Sequence, residues 1–134
     1  MALFRVFTLS FLVTVVTECT LAFLLGLRNR KDQSLVFLVN VLTNPAVVYI
    51  NLLAVMLLGI SVRTVTLILT ETAAVFTEAF VYVRKLDWDR LQFGTATGLL
   101  EGRSPVIRAF LLSICLNAAS YGAGELLEIL IRQM

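Results

Sequence analysis

Three glutamates, Glu18, Glu71 and Glu78, interrupt stretches that are otherwise apolar enough to cross a membrane, and no Lys, Arg or His stands at the depth of Glu18 or Glu71. A carboxylate in hydrocarbon costs about 2.5–3.5 kcal/mol on insertion scales. A chain keeps such a group where a proton, a cation, a basic partner or a water-filled cavity compensates it. Carboxamides accompany the acids at Asn40, Asn44, Asn51 and Asn117. Carboxylate, carboxamide, hydroxyl and carbonyl oxygens suit protons or hard cations such as sodium or magnesium. The chain has no His, and Cys19 and Cys115 lie apart within apolar runs. No haem or zinc site is therefore expected, and no catalytic constellation is read.

Helical spacing gathers these side chains into stripes, because residues at i, i+4 and i+7 share a face. Asn40, Asn44 and Asn51 form one stripe, Glu71 and Glu78 a second, and Asn117, Ser120, Tyr121 and Gly124 a third. Thr14, Thr17 and Glu18 make the fourth. The remaining faces are almost wholly apolar, so the stripes are expected to turn inward and the apolar faces toward lipid.

The elements that must position them are membrane helices. Of the 134 residues, 59% are hydrophobic and 15% charged, against roughly 45–50% and about 25% in soluble domains. About 20 apolar residues cross the hydrocarbon as a helix. Four segments qualify, at about 3–27, 34–60, 64–83 and 105–131. The first run is longer than the apolar part of a signal peptide and lacks a small-residue cleavage site after it, so it reads as a retained span. Pro45 predicts a kink in the second helix by removing one backbone hydrogen bond, and Ser104-Pro105 reads as the start of the fourth. The fold expected is an all-α integral membrane four-helix bundle forming a single domain over 1–134.

Basic residues set its sidedness. Arg28, Arg30, Lys31, Arg84, Lys85, Arg90, Arg103 and Arg108 fall in or beside the first and third loops, while Arg5, Arg63 and Arg132 fall on the other side. By the positive-inside rule, loops 28–33 and 84–104 are cytoplasmic and both termini lie outside. A cytoplasmic (plasma) membrane is the expected location. Within loop 84–104, Leu86, Trp88, Leu91 and Phe93 alternate with charges as an interfacial amphipathic stretch. Gly94, Gly98 and Gly102 follow as a flexible or re-entrant connection.

At 1.5 Å per residue, Glu18, Asn44 and Asn117 fall near the bilayer middle, with Glu71 somewhat outward and Glu78 somewhat inward. Glu18 and Glu71 are the expected ion-binding carboxylates, with Asn44 and Asn117 as neutral ligands. Asn40 and Glu78 are weighed between binding and structural roles. Glu78 has a candidate ion-pair partner in Arg108, about one turn into the fourth span. The function expected is a cation- or proton-coupled transporter or channel, working as a homo-oligomer or within a larger membrane complex. The first alternative is a non-catalytic accessory or assembly subunit. The second is a lipid-head-group enzyme using Glu78, Arg84, Lys85, Asp87, Asp89, Arg90 and Arg103. The small net charge of +2 and the loop location of the basic residues speak against nucleic acid.

Overall fold

A backbone in hydrocarbon must satisfy its own hydrogen bonds, and a helix does so within one segment. The computed structural model of the chain describes residues 2–88 and 102–133. All regular structure among them is helical: α1 (Ala2–Leu24), α2 (Arg30–Leu58), α3 (Arg63–Lys85) and α4 (Pro105–Gln133), with a 3-10 turn at Ile60–Val62. Three stretches are long and apolar enough to span a membrane: Arg30–Leu58, Ile60–Lys85 and Pro105–Leu127. α1 contributes a shorter apolar stretch, Phe11–Leu24.

Local chemistry sets the helix ends. α1 stops where Gly26 takes a φ of 107°, a left-handed conformation that favours glycine. There the Leu27 N–H reaches back to the Ala22 carbonyl at 3.0 Å and the Gly26 N–H to that of Phe23 at 3.1 Å, closing off orphan carbonyls. Asn29 starts α2 by accepting from the Lys31 N–H at 3.2 Å. α2 then runs as one helix through Pro45, whose missing N–H costs one backbone hydrogen bond without ending the element. Gly59, with φ 89°, turns the chain into the 3-10 segment and α3.

Each helix packs on its neighbours in sequence, and α4 closes the ring against α1. Packing is uneven along this ring. Ala22, Leu27, Val36, Val39, Ala79, Tyr82, Leu86, Trp88, Ala109, Leu112 and Leu116 form one buried cluster at the end holding the α1–α2 and α3–α4 connections. Toward the other end, no residue of α2 beyond Thr43 and none of α3 before Ala74 is fully buried. The bundle is a packed plug at one end and more loosely packed at the other.

Leu86 and Trp88 join the plug rather than lying along an exposed amphipathic stretch. The chain folds across the helix ends after Lys85, which brings both side chains into the packed layer. Leu91, Phe93, Asp89, Arg90, Gly94 and Gly98 lie outside the described residues, as do the side chains of Arg5, Glu128 and Arg132.

Candidate functional site

At the boundary between the plug and the looser half, one glutamate is buried from α1 and another from α3. Glu18 is 1% exposed. Its Oε2 accepts from Asn40 Nδ2 of α2 at 2.7 Å, and its Oε1 accepts from Ser120 Oγ of α4 at 2.8 Å. Glu78, equally buried, draws donors from two helices. Thr43 Oγ1 of α2 donates to its Oε1 at 3.0 Å, while Ser113 Oγ and Asn117 Nδ2 of α4 reach its Oε2 at 2.8 and 2.5 Å.

The amides are held as donors. Asn40 Nδ2 also donates to the Val36 carbonyl at 3.1 Å, and Asn117 Nδ2 to the Ser113 carbonyl at 2.9 Å. A backbone carbonyl can only accept, so each amide nitrogen, not its oxygen, must sit between carbonyl and carboxylate. The clusters join through α4, where Ser120 Oγ contacts both Glu18 Oε1 and the Asn117 carbonyl, and Asn117 holds Glu78. Four helices are thereby tied into one polar layer, with no cation among its hydrogen-bond partners in the described residues.

A cavity of about 550 Å³ leads to this layer. Glu18, Asn40, Thr43, Glu78, Asn117 and Ser120 form its floor. Its upper wall is mixed, with Val47, Val48, Leu52, Val55 and Leu67 beside Glu71. Exposed Ile60, Arg63 and Glu125 mark its mouth, at the end of the bundle away from the plug. The arrangement gives water-sized species a path to two carboxylates and a packed apolar layer behind them.

The sequence-derived site residues separate into two levels. Glu18, Asn40, Glu78 and Asn117 come together on the cavity floor. Glu71 and Asn44 line the cavity without entering the network, and Glu71 has no hydrogen bond among the described residues. The Asn44 amide nitrogen is buried without a hydrogen-bond partner among the described residues. Asn51 bonds Thr70 Oγ1 at 2.8 Å, tying α2 to α3 higher up the wall. Glu78 is not paired with Arg108: both its oxygens are taken by hydroxyl and amide donors, and no ion pair joins the two among the described residues. Arg108 lies five residues before Ser113, about 7.5 Å farther along α4 into the plug end.

Two contributors escape a sequence reading. Thr43 and Ser113 look like ordinary helix hydroxyls, which commonly bond back to their own helix. Their signal is position alone, since Thr43 follows Asn40 by three and Ser113 precedes Asn117 by four, each on the stripe of its amide. Comparison with protein-family models, with curated proteins and with solved structures finds no match for this chain.

Proposed function

We propose that the chain is a small integral membrane transporter or channel for protons or hard cations such as sodium or magnesium. Glu18 and Glu78 are its binding carboxylates, with Asn40 and Asn117 as their neutral partners. Glu71 is an outer acid that attracts cations toward the floor, with Asn44 beside the path. The observation that carries this reading is the cavity itself. It reaches two buried carboxylates that have no basic partner among the described residues, and it stops at a packed apolar layer. Intramembrane acids facing a cavity are the usual mark of an ion pathway.

The distribution of basic residues orients the cavity mouth outward and the plug toward the cytoplasm. Transport across the plug then requires the helices to rearrange at that end, in the manner of alternating access. A four-helix unit also suits assembly as a homo-oligomer in a cytoplasmic membrane.

The test is reconstitution into liposomes, with internal dyes reporting proton, sodium or magnesium entry under imposed gradients. Wild-type flux is expected to vanish in Glu18→Gln and Glu78→Gln and to fall in Glu71→Gln, all three inserting normally. Unchanged flux in the first two refutes the reading. No flux from the pure protein, together with a stoichiometric membrane partner in mild detergent, would favour an accessory subunit instead.

A further inference from the structure

The three hydroxyls of the polar layer share one geometric feature. Each has a single proton to give, and each lies between a carboxylate oxygen and a backbone carbonyl. Ser120 Oγ is 2.8 Å from Glu18 Oε1 and 3.0 Å from the Asn117 carbonyl. Thr43 Oγ1 is 3.0 Å from Glu78 Oε1 and 3.0 Å from the Val39 carbonyl. Ser113 Oγ is 2.8 Å from Glu78 Oε2 and 3.2 Å from the Val75 carbonyl.

We propose that the ion bound at Glu18 and Glu78 is the proton, and that Ser120, Thr43 and Ser113 are two-position donors that satisfy each acid both with and without it. This deepens the transport reading and rests on it. When a glutamate is ionised, its hydroxyl neighbour turns its proton to the carboxylate. When water in the cavity delivers a proton, the new carboxylic acid donates to that same hydroxyl oxygen. The hydroxyl then swings its own proton to the backbone carbonyl. One O–H bond forms on the acid and one breaks on the delivering hydronium; the hydroxyl keeps its proton throughout. Neither state leaves these hydroxyls or carboxyl oxygens without a hydrogen-bond partner, which removes the cost of an unmet bond from the change of charge; the cost of burying the charge itself remains.

The same geometry disfavours a metal ion. A metal binds through lone pairs, yet Asn40 and Asn117 turn N–H groups toward Glu18 Oε2 and Glu78 Oε2 and are fixed there by their second bonds to carbonyls. The other titratable groups near the pair are Cys19 on α1 and Glu71 and Tyr82 on α3. α4 adds Tyr121 and Glu125 toward the mouth, where Arg63 also stands, and α2 presents amides and a hydroxyl.

Infrared difference spectroscopy on the full chain in liposomes tests this without any flux. A pH jump at constant sodium and magnesium is expected to reveal carboxylic-acid carbonyl bands, one lost in Glu18→Gln and another in Glu78→Gln. Ser120→Ala, with its helix content checked by circular dichroism, is expected to move the frequency of the Glu18 band and leave the Glu78 band in place. Jumps in sodium or magnesium at constant pH are expected to leave these carboxyl bands unchanged. Bands that respond to metal and not to pH overturn the proton assignment, as do acids that respond to neither. Proton bands from a protein that carries no flux would keep this assignment and remove the transport reading. Metal-driven flux with pH-silent acids would do the reverse.

Discussion

The contact between Asn40 and Glu18 fixes how strongly α1 and α2 are coupled. Asn40→Ala removes the donor 2.7 Å from Glu18 Oε2 and leaves that oxygen with no other hydrogen bond among the described residues. The lost bond to the Val36 carbonyl matters little, because that carbonyl sits within α2 and keeps its helical partner. Hydrogen bonds between membrane helices average about 0.6 kcal/mol and reach about 1.7 kcal/mol, and bonds to charged groups in proteins run to about 1.5–3 kcal/mol. This bond is short and both side chains are 1% exposed, which places it near the top of the membrane range, at about 1.5 kcal/mol. A double-mutant cycle of Asn40→Ala and Glu18→Leu isolates it, read by reversible unfolding in mixed micelles. Distant sites add to within about 0.3–0.5 kcal/mol. A coupling energy inside that margin would refute the polar layer as a structural and electrostatic unit.

The plug yields two further expectations. Tyr82 is wholly buried and its hydroxyl has no hydrogen-bond partner among the described residues. Tyr82→Phe is therefore expected to raise stability by about 1 kcal/mol in the same unfolding assay, and a loss of that size would mean the hydroxyl has a partner in the membrane. Leu112, also fully buried in the plug, is expected to cost about 2–5 kcal/mol when cut to alanine. The opening it leaves behind the polar floor should raise passive proton leak in liposomes above wild type, and a leak equal to wild type would place the barrier elsewhere.

Much of this arrangement was legible in the sequence. Apolar length alone placed four helices, with ends at Leu24, Leu58, Lys85 and Pro105 within a few residues of expectation. The helical period put Glu18, Asn40, Glu78 and Asn117 on inward stripes, because that depends only on spacing. Roles within the stripes were less accessible. Glu71 and Glu78 are seven apart on one face, yet only Glu78 meets donors from neighbouring helices, so one acid sits in the packed layer and the other on a cavity wall. Which donors a neighbouring helix offers is a property of pairs and leaves no period in a single segment. The Arg108 pairing failed on depth and on partners: Arg108 lies about 7.5 Å beyond Ser113 along α4, and Thr43, Ser113 and Asn117 fill the Glu78 oxygens.

The four helices are unequal in length, and the inequality has a place in the ring. α2 and α4 have 29 residues each, about 43 Å, while α1 and α3 have 23, about 34 Å. The long pair lies on one diagonal and the short pair on the other. A hydrocarbon core near 30 Å is crossed by about 20 residues, so α2 and α4 have turns to spare. The surplus of α2 begins in the charged Arg30, Lys31 and Asp32, and that of α4 follows Glu125. In a bilayer the long pair would therefore extend polar turns past the hydrocarbon at opposite ends of the bundle, α2 at the plug and α4 at the cavity mouth.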